Sequence, residues 1–205
     1  MNKSTDVYID PSTGPVSLEK RKRNGQATKE AILEAGLRAF CEHGYDGVGL
    51  REIANAAGVT AVLVNRYYGS KEELFSAAVD TAFGGTHPFT GDIATLGSRF
   101  AKLLVAKLNQ RRDSPDGFLL LLRSAANPRA AEILKKAIEK SFAAPLRSAL
   151  DGENTELRVA LFLAQVAGIQ LMSQVIQLDA LNKAAPRRLS TLLTRMFEQQ
   201  LQDGD

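Results

Sequence analysis

The chain has 205 residues, 44% hydrophobic and 6% aromatic, which is enough apolar material for one small and one medium helical domain. Its formal charge of +3 is too small to argue for a nucleic-acid partner, so the placement of charge matters more than its sum. The single cysteine, Cys41, excludes an internal disulfide. His43 and His87 form no His-Glu-x-x-His pattern, so no metal site is readable and no cofactor is expected.

The first nineteen residues are rich in Ser, Thr, Asp and Pro and lack an apolar segment. With Lys20-Arg21-Lys22-Arg23 they make residues 1–24 a disordered basic arm, either solubilising or suited to a DNA minor groove. A helix carrying Ile32, Leu33, Gly36 and Phe40 follows, with Cys41 as a small core hydrophobe in preference to a redox sensor. Gly44, Gly47 and Gly49 punctuate a loop. No strand precedes them and no Lys-Ser/Thr pair follows, so they are the weaker fit to a phosphate loop.

Leu50, Ile53, Ala54 and Ala57 recur at helical spacing, and Gly58 supplies the positive φ that ends that helix. Thr60 is placed as an N-cap whose hydroxyl accepts a backbone N–H. Residues 61–68 then form a helix that buries Val64 and Tyr68, with Val59 beside them, and presents Ala61, Val62, Asn65 and Arg66 on its other face. Gly69 closes it. Ser70 caps the next helix, with Glu72 and Glu73 in the first turn where the helix dipole favours negative charge. Two short helices joined by a tight turn and followed by a longer one make the layout of a DNA-reading helix-turn-helix.

These residues resemble the TetR family of bacterial transcriptional regulators. The match is carried by Ile53-Ala54-x-x-Ala57-Gly58-Val59, by the pair Tyr67-Tyr68, and by Gly69-Ser70-Lys71-Glu72-Glu73-Leu74, and it reaches back to Thr28. Val48 and Gly49 depart from the family's Thr or Ser, removing a side-chain cap. Asn65 stands where Tyr is usual, and Val62 where a small residue is usual. The resemblance implies an all-α chain with an amino-terminal three-helix DNA-binding domain, residues 25–72, and a carboxy-terminal helical bundle, residues 73–205, for ligand binding and dimerisation. It also implies that Arg51 touches a base and that Thr28, Tyr67 and Lys71 bind phosphates. A small molecule in the bundle would tilt the helix that starts near Lys71. For Lys71 the competing reading is a solvated pair with Glu72 or Glu73; Tyr68 is assigned to the core.

Beyond Leu74 the resemblance is one of helical layout. Helices are expected at residues 71–82, 92–110 and 116–126, separated by a loop through His87-Pro88 and a polar connection over 111–115. The run 118–122 is too apolar to face water. Asn127-Pro128 is an N-cap followed by the helical position that suits proline, opening a helix to Phe142 that Pro145 divides. Residues 153–178 are expected to form the longest helix, and Ala185-Pro186 to open the last, ending near Leu201.

The nearly apolar stretch 159–172 is short for a membrane span and is broken by Gln165 and Gln170, so it reads as a helix buried in protein. No segment reads as a secretory signal, and a cytoplasmic location is expected. Ala160, Ala164, Ala167 and Gly168, flanked by Leu161, Leu171 and Val175, allow close helix approach. Leu189, Leu192, Leu193 and Phe197 supply a partner stripe, for a homodimer interface through the last two helices or for an internal core.

The DNA-facing set is therefore Thr28, Arg51, Thr60, Ala61, Val62, Asn65, Arg66, Tyr67 and Lys71. Ala61 and Val62 offer methyl groups to thymine, Asn65 suits adenine, and Arg66 suits guanine or a phosphate. The candidate effector-lining set is Phe100, Leu104, Leu121, Arg123, Phe142, Phe162, Gln165 and Met172, each taken singly a better fit to core than to ligand contact. Arg123, if buried, requires an anion from the protein or from an acidic effector. The expected function is a ligand-responsive regulator, a repressor, that binds a palindromic operator in double-stranded DNA and is released by a small apolar effector. The alternative is a helical interaction protein with a degenerate helix-turn-helix. Paired acids such as Asp113 and Asp116 lie in a solvated connection, so an enzyme is not expected.

Overall fold

Glycine and capping residues set the boundaries of the first four helices in the computed structural model, which describes residues 15–84, 92–109 and 115–202. These helices are α1 (Pro15–His43), α2 (Leu50–Ala56), α3 (Ala61–Tyr68) and α4 (Lys71–Phe83). Gly58 and Gly69 adopt φ of +68° and +76°, which lets the chain leave α2 and α3 sharply. The Ser70 hydroxyl accepts the Glu73 N–H at 3.1 Å. Thr60 has the extended N-cap backbone but its side chain makes no capping bond; its carbonyl accepts from Leu63 and Val64 instead.

The first helix corrects the expected arm. It begins at Pro15 and runs for 29 residues, so residues 15–24 continue the helix, and it is α1 rather than 153–178 that is longest. Residues 1–14 and the side chains of Lys20, Arg21, Lys22 and Arg23 lie outside the described residues, as do 85–91 with His87 and Pro88, and 110–114.

A 3-10 turn (Ile93–Thr95) leads into α5 (Leu96–Leu108), followed by α6 (Gly117–Ser124) and α7 (Pro128–Ile138). Asn127 caps α7 through its side-chain oxygen, which accepts from Arg129 and Ala130. The division expected at Pro145 takes the form of a π-helical turn, Glu139–Ala143, before α8 (Ala144–Ala149). Proline lacks an N–H and crowds the carbonyl four residues earlier, and the wider turn, with Ala144 N–H donating to Glu139, relieves both. After Gly152, at φ +93°, come α9 (Thr155–Gln170), a second π-helical turn (Leu171–Val175), α10 (Asp179–Asn182) and α11 (Pro186–Leu201). Among the described residues there is no strand, and the fold is all-α.

Two hydrophobic cores divide the chain in space differently from its order in sequence. The first joins α1–α4 to α6 and α7, with Ile32, Phe40, Ile53, Val64, Phe75 and Leu120 at its centre. The second joins α5, α8, α9 and α11 around Phe100, Leu104, Leu146, Phe162, Leu193 and Phe197. Leu122, in the run expected to avoid water, is exposed at the edge of α6.

Candidate nucleic-acid interface and effector cavity

The helix-turn-helix is built on a triad of rings. Phe40 meets Phe75 edge-on at 5.0 Å, and Tyr45 meets Phe75 at the same distance, tying the α1–α2 loop to α4. Burial, and then the hydrogen-bonded Glu72 carboxylate, push the Tyr45 phenol up to about 12. Cys41 lies in the same core; burial raises its thiol to about 11, the behaviour of a packing residue rather than a reactive one. Val48 is buried. The cap lost at Gly49 is partly replaced, because its N–H donates to the Glu52 carboxylate at 2.6 Å.

Against this frame α3 turns Val64 and Tyr68 inward, and the Tyr68 hydroxyl donates to the Lys29 carbonyl at 2.9 Å. Its other face carries Val62, 75% exposed, with exposed Asn65 and Arg66; Ala61 is half-buried against the core. Among the described residues the side chains of Arg51, Asn65 and Arg66 make no hydrogen bond or ion pair with the protein. Lys71 does not pair with Glu72 or Glu73. Its ammonium sits over the Tyr45 ring, 4.6 Å from the centroid, while Glu72 pairs with Arg129 at 2.9 Å. Tyr67 is half-buried, its hydroxyl beside Gly25 of α1, and the Thr28 hydroxyl donates to the Asn24 carbonyl at 2.8 Å.

The end of α6 clasps the α1–α2 loop. The Tyr45 N–H donates to the Ser124 hydroxyl at 3.0 Å, and Asn127 donates to both oxygens of Asp46 at 2.9 and 3.1 Å. Gly44, at φ +72°, lies so close to α6 that a Cβ there would stand 2.3 Å from the Arg123 carbonyl oxygen. Arg123 itself is exposed and donates to the Cys41 carbonyl near the end of α1. It therefore needs neither an internal carboxylate nor an acidic effector, because the C-terminal carbonyls of a helix receive a cation well.

A cavity of about 280 Å³ opens along the seam between the two cores. Phe83, Leu121 and Ile138 reach it from the first core, and Phe100, Leu104 and Leu163 from the second; Phe142 belongs to both. Of the eight residues expected to line an effector site, Phe100, Leu104, Leu121 and Phe142 border this cavity, and Arg123, Phe162, Gln165 and Met172 do not. Phe162 is wholly buried in the second core, Gln165 faces Gln200 at 3.4 Å, and Met172 is 39% exposed on the outer surface. Phe83, Phe118 and Gln170 were missed, although Gln170 carried a signal as a polar break in an apolar helix.

The helix expected to be buried is largely uncovered. Thr155–Val175 is long and apolar enough to cross a membrane by length and composition, yet 28% of its most apolar window is buried within the chain. Leu157, Leu161, Met172 and Val175 of this stretch are exposed, as are Ala160 and Ala164. On α11, by contrast, Leu189, Leu193 and Phe197 fill the internal core, and of the expected partner stripe only Leu192 remains outside.

Comparison with known proteins gives two family matches. Residues 32–78 match the model for bacterial regulatory proteins of the tetR family, and residues 94–201 match that for the tetracyclin repressor-like C-terminal domain. The transcriptional regulatory protein RaaS of Mycobacterium tuberculosis is 51% identical over 59 residues, covering 28% of this chain and 27% of that protein. The transcriptional regulator RutR of Escherichia coli is 35% identical over 100 residues, 47% of each chain. The chain thus aligns with about half or less of the length of these relatives. A crystal structure of a TetR-family regulator from Streptomyces coelicolor superposes with a TM-score of 0.56 at 25% identity, covering 87% of this chain and 96% of that one.

Proposed function

Because the chain belongs to the TetR family of bacterial transcriptional regulators, we propose that it represses transcription as a homodimer bound to a palindromic operator and is released by a small, largely apolar effector. The observation that carries this reading is the outer face of α3. Val62, Asn65 and Arg66 are presented to solvent, the two polar side chains without hydrogen-bond or ion-pair partners among the described residues, on a helix anchored by Val64 and Tyr68. Such a helix suits the major groove, with Val62 for thymine methyls, Asn65 for adenine and Arg66 for guanine. Arg51 would add a base contact. Thr28, Thr60, Tyr67 and Lys71, with the basic run Lys20 to Arg23, would contact phosphates that set register.

In this reading residues 25–72 bind DNA, and residues 73–205 hold the effector and the second subunit of a cytoplasmic dimer. The exposed stripe of α9 is the proposed dimer face, covered by the same stripe of a second copy. The cavity is the proposed effector site. It lies on the seam, so an occupant prefers one setting of the first core against the second, and with it one spacing of the two recognition helices. The interaction-protein alternative loses support from the Glu52 contact that compensates Gly49.

Selection from a random duplex library, followed by salt titration of the enriched site, tests the DNA reading. A palindrome whose affinity falls steeply with salt is expected; weak binding without sequence preference would overturn it. For the dimer, Leu161→Glu should yield monomers in sedimentation at micromolar concentration.

A further inference from the structure

We propose that the seam cavity selects an uncharged, ring-containing molecule bearing one hydrogen-bonding group, and that Gln170 reads that group. This rests on the cavity being the effector site.

The first argument is charge. No carboxylate lines the cavity among the described residues, and its one ionisable side chain is Lys107. The Lys107 ammonium is already 2.9 Å from Asp116, whose same oxygen accepts the Phe118 N–H at 2.8 Å and caps α6. A cationic ligand would enter without a counter-charge. An anionic one would have to take Lys107 from Asp116 and leave that carboxylate, 18% exposed, without its cation.

The second argument is shape. At about 280 Å³ the space lies just below the range usual for ligand pockets, roughly 300–1,000 Å³, so a compact molecule fits better than an extended one. Four phenylalanines border it: Phe83, Phe100, Phe118 and Phe142. Phe83 and Phe142 meet edge to face at 5.5 Å, and Phe100 leans edge-on against Phe162 at 4.8 Å. A flat ring placed among them finds both ring faces and ring edges, the arrangement aromatic pairs favour.

The third argument is the polar group. Gln170 lines the cavity and is 8% exposed. Its Oε1 receives a long contact of 3.4 Å from Gln174, and its amide nitrogen donates to none of the described residues. Turning the amide over exchanges the atoms but still leaves one polar end without a protein partner. That end is an open hydrogen-bonding position on a side chain that borders the cavity and is itself more than nine-tenths buried, so it is a place for a ligand donor or acceptor. The backbone singles out the same positions. One π-helical turn contains Phe142 and the other begins immediately after Gln170, and the second has no proline to require it. Such turns occur often at functional sites because they re-aim side chains within a helix.

The test uses four naphthalenes of similar size in calorimetric titrations of the full chain at pH 7: 2-naphthol, 2-methylnaphthalene, 2-naphthoate and 2-naphthylmethylammonium. The expected result is that 2-naphthol binds at least about tenfold tighter than either charged probe. Gln170→Leu should weaken 2-naphthol about tenfold while leaving 2-methylnaphthalene within about twofold, which separates loss of a hydrogen bond from loss of fold. Val166→Phe, which fills the cavity, should abolish binding of both. Tighter binding of a charged probe that Val166→Phe removes would overturn the proposed chemistry and keep the cavity as an effector site. Neutral-probe binding that survives Val166→Phe, or no binding by any probe, would overturn both. Equal weakening of 2-naphthol and 2-methylnaphthalene by Gln170→Leu would overturn the role of Gln170.

Discussion

The helix-turn-helix and α9 answer the same physical demand in opposite ways. In the first, every large apolar side chain of α2–α4 except Val62 finds cover within the subunit, and Val62 lies on the face proposed to meet DNA. In the second, Leu157 and Leu161, with Met172 and Val175 of the π-helical turn that continues it, stay uncovered, an apolar exposure a single folded chain rarely keeps. The difference teaches that one region closes its apolar surface within the subunit, whereas the other keeps open the face proposed above to meet a second copy. The seam cavity lies between the core of the first and the core that contains α9.

Removing a ring from either core gives the largest expected effect. Phe40→Ala and Phe162→Ala should each cost about 3–5 kcal/mol, since both side chains are wholly buried. Because α6 and α7 pack with the amino-terminal helices, we expect urea melts in which both variants shift one shared transition. Two separated transitions, each sensitive to one variant, would break the picture of coupled cores.

The next pair isolates the clasp. Gly44 and Gly58 have nearly the same positive φ, +72° and +68°, but a Cβ at Gly44 meets the Arg123 carbonyl at 2.3 Å whereas one at Gly58 meets nothing within 4 Å. Gly58→Ala should therefore cost about 1 kcal/mol of backbone strain, and Gly44→Ala about 2–3 kcal/mol. Equal losses in denaturant titrations would mean that the close approach of α6 contributes little.

Cys41 supplies a pH test of the first core. Its thiol is raised from 9.0 to about 11 in the fold, so the protonated form is favoured there. The associated stability is intact below pH 9 and is lost as pH rises from 9 towards 11. Reaction with a disulfide reagent at pH 8–9 should be slow and should follow unfolding; rapid reaction of the native protein would count against a closed core.

The smallest effect separates two caps of similar appearance. The Ser70 hydroxyl accepts the Glu73 N–H whereas the Thr60 side chain makes no capping bond, so Ser70→Ala should cost about 1 kcal/mol and Thr60→Ala much less. A melt in which Thr60→Ala is the more damaging would reverse the assignment. Operator titration of the same Thr60 variant then reports any phosphate contact apart from stability.

The ends of α2 and α3 and the starts of α4 and α7 were legible because their signals are local: Gly58, Gly69, Ser70 and Asn127-Pro128 each act on neighbouring backbone groups. The cavity was half legible. Helical periodicity marks Phe100 and Phe162 alike as inward-facing, but it does not say that the first borders a space and the second is packed solid. Arg123 illustrates the same limit, since its partner is a carbonyl 82 residues away.

The amino-acid sequence by itself determined the all-helical fold, the helix-turn-helix, its outward residues and its family, because capping, glycine dihedrals and 3.6-residue periodicity act over a few neighbours. Tertiary structure alone decided that α6 and α7 join the core of the helix-turn-helix, that Leu189, Leu193 and Phe197 turn inward while much of α9 stays bare, and that the cavity falls on the seam. Those outcomes depend on which apolar faces meet across the chain, and several faces of similar composition compete for each place.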